Sequence, residues 1–214
     1  MLKRNEDGVV VSLKGETEKA KSRRIREGWF EKYAPEDRPG LDIGCNDDPL
    51  NWTFRRWDIS FGDGDGAELE GVPPETYHTV YASHVLEHIP FHKKAICRWY
   101  EVLKPGGHLI ICVPHRDLYE KKRFLPSNWN HEHVRFWLPD NEELPCTLCL
   151  KKEILSALPN ANIVSYRVLD EGYMPQLDEE TLKNSIVDAE DHPAGEYSIE
   201  AIIQKPQNFV AGRS

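Results

Sequence analysis

The chain has 214 residues, 39 % of them hydrophobic, and its 36 acidic side chains outnumber 27 basic ones for a formal net charge of −9. That length gives one domain with a sizeable core, and the acidic balance argues against a general nucleic-acid scaffold, which draws most of its attraction from a basic surface. No stretch reaches the apolar length of a membrane-spanning helix, the first residues lack the apolar centre of a secretory signal, and the five cysteines are odd in number, so a reducing cytoplasm is expected.

The first forty residues read as peripheral. Val9-Val10-Val11 suits a short strand, and a charged helix follows from Glu16 to Tyr33, ended by Pro35. Ile25, Trp29 and Tyr33 recur every four residues and give one apolar face, able to pack or to cover a cleft. Residues 1–38 are therefore expected to form a helical extension or lid on a single domain spanning 1–214. The Pro39-Gly40 turn then introduces a core strand, Leu41-Asp42-Ile43, which runs into the turn Gly44-Cys45-Asn46-Asp47-Asp48. Open α/β sheets bind cofactors at such strand ends. The turn holds one glycine where a dinucleotide fingerprint wants three, although Asn46 can take left-handed backbone almost as readily as glycine.

A second short strand ends near Trp57-Asp58-Ile59, where an acid is well placed to accept hydrogen bonds from a ribose diol. Asp65 stands in Gly62-Asp63-Gly64-Asp65-Gly66-Ala67, a segment too polar and glycine-rich for a core, and could bring a carboxylate and a backbone amide near an adenine. The third apolar run, Tyr77 to Ala82, leads into Ser83-His84-Val85-Leu86-Glu87-His88. His84 and His88 are four apart and would share a helical face. The HExxH frame of a metal-binding helix is absent, so these histidines are expected to line a cleft by hydrogen bonding, with no metal.

Pro90 to Leu103 reads as a helix stopped by Lys104-Pro105-Gly106-Gly107, and His108 to Val113 as an apolar strand covered on both faces. Residues 114–148 form a long tryptophan-rich excursion, a length that usually serves function. Cys146 and Cys149 have CxxC spacing, but no second pair exists to complete a four-thiolate site, so both read as incidental thiols at a helix start. Leu148 to Leu158 has helical period, and Asn162–Leu169 and Tyr197–Gln204 read as strands. The acidic loop between those strands is expected to carry a helix near Glu179–Ala189. This order favours a doubly wound, mostly parallel α/β domain.

Three blocks, Leu41-Asp42-Ile43-Gly44-Cys45-Asn46, Val80-Tyr81-Ala82-Ser83-His84-Val85-Leu86-Glu87-His88 and Val102-Leu103-Lys104-Pro105-Gly106-Gly107-His108-Leu109-Ile110-Ile111, stand in order at fitting distances. Together they make the chain resemble a class I S-adenosylmethionine-dependent methyltransferase, in particular the compact branch of small-molecule enzymes linked to glycan or secondary metabolism. The resemblance implies a seven-stranded Rossmann-like sheet, S-adenosyl-L-methionine as cofactor and S-adenosyl-L-homocysteine as product. It implies that Asp42, Gly44, Cys45 and Asn46 wrap the methionine end, that Asp58 holds the ribose, and that Asp65 and Ala67 approach the adenine. Ser83 and His84 match the segment that lines the cofactor and leads toward the substrate. Asn46 and Asp48 depart from the pattern, standing where two glycines are usual. Only about eight residues separate the turn from the second strand, so the first helix is expected to be shortened or absent.

Methyl transfer from a sulfonium is an in-line displacement, and a hydroxyl acceptor usually needs a base. His115, directly after the fourth core strand, ranks first for that task, followed by His133 and His131. Arg116, Arg123 and Arg135 have the fork geometry for an anionic acceptor. Trp129 and Trp137 could stack on a ring, and His88 faces the substrate side. The expected reaction is methyl transfer to oxygen, less so to nitrogen, of a small polar or anionic acceptor such as a sugar, sugar phosphate or secondary metabolite. No nucleic-acid partner or membrane insertion is expected, and a homodimer is left open. The competing readings are a noncatalytic partner subunit retaining the fold and another nucleotide-cofactor enzyme such as a dehydrogenase.

Overall fold

The structure is a computed structural model that describes residues 15–171 and 195–207 in full and residues 2–4, 10–12 and 186–188 by their backbone. In chain order the strands are β1 (Leu2–Arg4), β2 (Val10–Ser12), β3 (Gly40–Ile43), β4 (Arg55–Trp57), β5 (Tyr77–Ser83), β6 (Leu103–Pro114), β7 (Phe136–Leu138), β8 (Thr147–Cys149), β9 (Asn162–Leu169), β10 (Ile186–Asp188) and β11 (Ser198–Gln204). The helices are α1 (Glu16–Arg26), α2 (Trp29–Tyr33), α3 (His92–Glu101) and α4 (Leu150–Ala157).

Six strands form one sheet in the order β4-β3-β5-β6-β11-β9. The first four run parallel, and β11 lies antiparallel between β6 and β9. The carboxyl ends of the four parallel strands therefore share one edge. Because β4 lies on one side of β3 and β5 on the other, the order reverses there. Such a switch point opens a crevice at the sheet edge, where ligands of doubly wound folds bind.

Period-two alternation sorts the core. Leu109, Ile111 and Val113 of β6 join Val80 and Ala82 of β5 in a cluster with Ala95, Ile96 and Trp99 of α3 and Leu150 and Ile154 of α4. Ile110 and Cys112 turn the other way, with Tyr81, to meet Trp29 and Tyr33 of α2. Both faces of the sheet are thus apolar, which is why β6 reads as a continuous hydrophobic run.

Three expectations are corrected. The main sheet has six strands among the described residues, not seven: after β4 the chain forms a single 3-10 turn, Ile59–Phe61, and then a series of turns up to β5. Gly62, Gly64, Gly66 and Gly71, with Pro73 and Pro74, leave no run able to pair as a strand. In keeping with the expectation that the helix after β3 would be shortened or absent, residues 44–54 cross to β4 through turns alone. The 16–33 helix is broken at Gly28, whose φ of 62° is left-handed. Trp29 and Tyr33 are buried while Ile25 is 63 % exposed, so the four-residue stripe does not survive the break. Of the helix expected at 179–189, residues 186–188 are a strand parallel to β2, and the rest lies outside the described residues.

The buried face of α1 is polar. Arg23 forms a fork with Glu196, with Nε and Nη2 at 2.9 and 2.8 Å from its carboxylate. Arg24, 1 % exposed, reaches the Tyr81 hydroxyl at 3.1 Å and Glu200 at 3.4 Å while stacking over Trp29. Burying an arginine costs desolvation, and for Arg24 only Nη2 is hydrogen-bonded, Nε and Nη1 having no partner. The N-terminus of α1 is capped from a distance, the Thr17 and Glu18 amides donating to Asp48 Oδ2 at 2.9 and 3.1 Å. Asp48 thereby fastens α1 to the turn that follows β3.

Candidate functional site

A cleft of about 290 Å³ opens at the switch point, lined by Ile43 and Gly44 of the first turn, Trp57 and Asp58 after β4, Asp65 to Ala67, and Val85 and His88 to Pro90. Gly44 has a φ of +68°, and a methyl group there would overlap Val85 Cγ2. The glycine is required by both the backbone and the approach of the opposite wall. Asn46 takes the left-handed conformation its neighbour glycine would, with φ 44°, and its amide donates to Asp58 Oδ2 at 2.9 Å.

Asp58 also accepts from the Ser60 amide and hydroxyl, at 2.9 and 2.6 Å, through Oδ1. Partial burial would raise its carboxyl, but these hydrogen bonds with Ser60 and Asn46 outweigh it and hold Asp58 below the usual carboxylate range. A carboxylate has about four acceptor positions, so Oδ2 retains one for a further donor. Asp65, exposed at the rim, orients its Oδ1 by accepting from the Ala67 amide at 2.8 Å. Apolar walls with two carboxylates at the mouth fit a nucleoside whose sugar hydroxyls need acceptors.

Five other residues expected at the cofactor, Asp42, Cys45, Asn46, Ser83 and His84, are not among those lining this cleft. Asp42 is buried behind the turn and accepts from the Leu50 amide at 2.6 Å; burial pushes its carboxyl up to about 8. Cys45 is buried too, its thiol raised to about 12 by burial and then by Asp42. Ser83 and His84, at the end of β5, are not among the lining residues of the cleft. His84 is left-handed, at φ 54°, and its Nε2 lies 2.9 Å from Ser198 Oγ. His84 and His88 do not share a helical face, because a 3-10 turn, Leu86–His88, begins between them.

The excursion after β6 is laced onto that turn. The Val134 amide donates to the Glu87 carbonyl at 3.0 Å. Arg135 Nη1 donates to the Ile89 carbonyl at 2.6 Å and Nη2 to the Pro90 carbonyl at 2.9 Å, with Leu86 O at 3.5 Å from Nη1. This lacing brings His133 beside Glu87 and His88. Glu87 Oε1 is 3.9 Å from the Nε2 atoms of both His88 and His133 and 3.9 Å from His84 Nδ1. Both Glu87 carboxylate oxygens are buried without a hydrogen-bond partner. Burial pushes the Glu87 carboxyl up to about 7 against the opposing pull of His133. His88 falls to about 4 through burial and the neighbouring His133. For His133, burial acts downward but is outweighed by Glu120, whose Oε1 is 2.6 Å from Nδ1, so His133 is raised.

Of the other acceptor-side residues, His115, Arg116, Trp129 and Trp137 are engaged in structure. His115 Nδ1 accepts from the Asp117 and Leu118 amides at 3.1 and 3.3 Å, capping the turn Arg116–Glu120, which leaves Nε2 carrying the ring hydrogen. Burial also lowers its pKa. Arg116 pairs with Asp117 at 2.7 Å and Glu143 at 2.9 Å. His131 and Arg123 are exposed. Trp129 donates from Nε1 to the Tyr119 carbonyl at 2.6 Å, and Trp137 is fully buried in the main core. Cys146 and Cys149 are free thiols. Sequence reasoning missed Glu87 and Glu120; the position of Glu87, between two histidines at a strand end, was the available signal.

Four parallel strands in this order, an antiparallel β11 between β6 and β9 and a cleft at the switch point define the class I S-adenosylmethionine-dependent methyltransferase fold. The chain matches the family described as a methyltransferase domain over residues 16–146, more than half its length, and belongs to it. It is an enzyme that uses S-adenosyl-L-methionine and releases S-adenosyl-L-homocysteine. Among solved structures, a SAM-dependent methyltransferase from Archaeoglobus fulgidus superposes with a TM-score of 0.52 at 16 % identity, covering 89 % of this chain and 95 % of that one. A second, from Mesorhizobium loti, gives 0.50 at 12 % identity, covering 89 % and 100 %. The [4+2]-cyclase SpnF shares the fold at 0.50 and 15 % identity, covering 86 % and 80 %, so likeness at this level speaks for the fold alone. A comparison with proteins of curated function finds no match. Among the described residues, no helix is long and apolar enough to cross a membrane.

Proposed function

We propose that the enzyme methylates a hydroxyl oxygen of a small, neutral polar acceptor. The observation that carries this reading is the buried cluster of Glu87, His88 and His133, which meets the cofactor cleft through His88. Bound S-adenosylmethionine supplies an electrophilic methyl group. The chain's own residues set its position: Gly44 admits close backbone approach, Asp58 takes the sugar hydroxyls, and Asp65 with Ala67 borders the base. On the acceptor side, histidines and carboxylates suit a hydroxyl, which both donates and accepts. Arg116 and Arg135 are committed to Glu143 and to backbone carbonyls, which favours a neutral acceptor over an anionic one. Arg135 then acts as a positioning residue, holding the turn that carries Glu87 and His88, and His115 caps a turn instead of serving as base.

The test is transfer of a labelled methyl group to matched panels of sugars and polyols, sugar phosphates and amines, after calorimetry has established cofactor binding. Label recovered as a base-stable methyl ether on a neutral acceptor is the expected result. Preference for amines or phosphorylated acceptors refutes it, and cofactor binding without turnover on any panel favours a noncatalytic subunit.

A further inference from the structure

Glu87 is wholly buried, and neither of its carboxylate oxygens has a hydrogen-bond partner. An unpaired buried carboxylate is among the costliest groups a fold can carry. Around it, imidazole nitrogens of His88 and His133 converge, and the ligand-capable atoms of the three residues lie within 4.8 Å of one another. The orientation of His133 is fixed from behind. Glu120, also fully buried, accepts from Ser127 Oγ at 2.5 Å through one oxygen and holds His133 Nδ1 at 2.6 Å with the other. In the neutral ring the hydrogen therefore sits on Nδ1, and Nε2, which carries the lone pair, lies 3.9 Å from Glu87 Oε1. A lone pair beside a carboxylate is repulsive unless a proton or a metal ion lies between them, and no hydrogen bond joins the two groups. Carboxylate-to-histidine support of this kind is the usual outer layer of a metal ligand.

We propose that Glu87, His88 and His133 bind a divalent first-row transition ion, with Glu120 as the outer partner of His133. Three ligands about 2.0–2.2 Å from an ion would stand ~3.3–3.6 Å apart in a tetrahedron, so the two 3.9 Å glutamate–histidine separations need to close by a few tenths of an ångström, and the ligand atoms of the two histidines, within 4.8 Å of each other, by up to about 1.5 Å. Two imidazoles and one carboxylate select zinc-like ions over magnesium or calcium, which prefer oxygen ligands. Three protein ligands leave a coordination position open, and His88 lines the cofactor cleft. The role assigned to that position, holding and acidifying the acceptor hydroxyl, rests on the methyltransferase reading above; the ion site itself does not.

The test uses tag-free protein stripped with a chelator and dialysed. Zinc titrated by calorimetry should bind one ion per chain, and cobalt should give the visible bands of an ion in a nitrogen and oxygen site. Glu87→Gln, nearly isosteric, and His133→Ala should each weaken zinc binding by roughly 100-fold or more, and Glu120→Gln by about 10- to 100-fold, as loss of an outer partner does. Zinc should raise the Tm of the wild type and leave Glu87→Gln unmoved, while the metal-free variant keeps wild-type circular dichroism. If Glu87→Gln fails to fold, His88→Asn and Glu120→Gln carry the same comparison. Absence of stoichiometric zinc binding, or equal affinity in these variants, overturns the proposal and leaves a protonated His133 between two carboxylates. Cofactor titrations on the same samples separate the two readings. Ion binding without cofactor binding sinks only the acceptor role, and turnover unaffected by stripping does the same.

Discussion

Replacing Arg135 by alanine separates a residue that holds the site from one that touches the acceptor. Its guanidinium makes two short hydrogen bonds, to the carbonyls of Ile89 and Pro90, and a longer one to Leu86. A hydrogen bond from a charged donor contributes about 1.5–3 kcal/mol, so the two short ones amount to roughly 3–6 kcal/mol if independent. They share one side chain, and coupling between neighbours argues for the lower end, about 3 kcal/mol. For a chain of this size each kcal/mol moves Tm by about 2–4 °C, giving an expected fall of roughly 6–12 °C. Val85, His88, Ile89 and Pro90 line the cofactor cleft, so affinity for S-adenosylmethionine should fall with stability. Arg135→Lys keeps the charge but loses the fork and should recover only part of each. Thermal denaturation and calorimetry with the cofactor read both effects. An alanine variant with wild-type Tm and cofactor affinity, but a raised acceptor KM, would show that the arginine meets the acceptor and that the clamp is idle.

Asp58→Ala removes the acceptor of the Asn46 amide and of Ser60, and cofactor affinity should drop about ten- to a hundredfold; an unchanged Kd by calorimetry would place the ribose elsewhere. Gly44→Ala combines a left-handed φ with overlap on Val85, so it should destabilise by at least about 1–2 kcal/mol from backbone strain alone and weaken the cofactor further. A wild-type denaturation midpoint in that variant would refute the packing argument. Asp42, raised to about 8 by burial, holds its proton more tightly folded than unfolded, where the value is about 3.9. Its contribution is full below that unfolded value and is lost as pH rises toward 8. Asp42→Asn, whose amide oxygen can still accept from Leu50, should therefore gain on the wild type as pH rises through this window in the cofactor-free protein. Parallel Tm profiles from pH 4 to 8 would count against a strained Asp42 carboxylate.

Strand positions were legible because they depend on local pattern. β3, β5, β9 and β11 fall where the apolar runs put them, β6 begins at Leu103 instead of His108 because the Lys104-Pro105-Gly106-Gly107 stop is itself extended, and Gly44 and Asp58 do line the cleft at the switch point. What the sequence concealed was set by long-range contact. The helix break at Gly28 depended on its left-handed backbone, which apolar spacing does not signal. The cluster of Glu87 and His133 joins residues 46 positions apart, through the Val134 amide and the Arg135 fork. No spacing rule connects a strand-end turn to the far side of a later excursion. Two of the arginines illustrate the same limit: residue type marked Arg116 and Arg135 as candidate anion binders, and the fold supplies them with Glu143 and with backbone carbonyls, while Arg123 stays exposed.

Asp48 caps α1 from the turn that carries Gly44 and Asn46, so the helix and the cofactor loop are parts of one mechanical unit. A strain applied to either is felt by the other through two hydrogen bonds to one half-buried carboxylate. The smallest transferable piece of this enzyme therefore begins before β3. Grafting the Leu41–Asp58 loop onto a related sheet without residues 15–34 would leave Asp48 Oδ2 without its two amide donors and the loop free to collapse. Exchanges between relatives should move α1, α2 and the loop together, keeping Arg24 with Glu200 and Asp48 with Thr17.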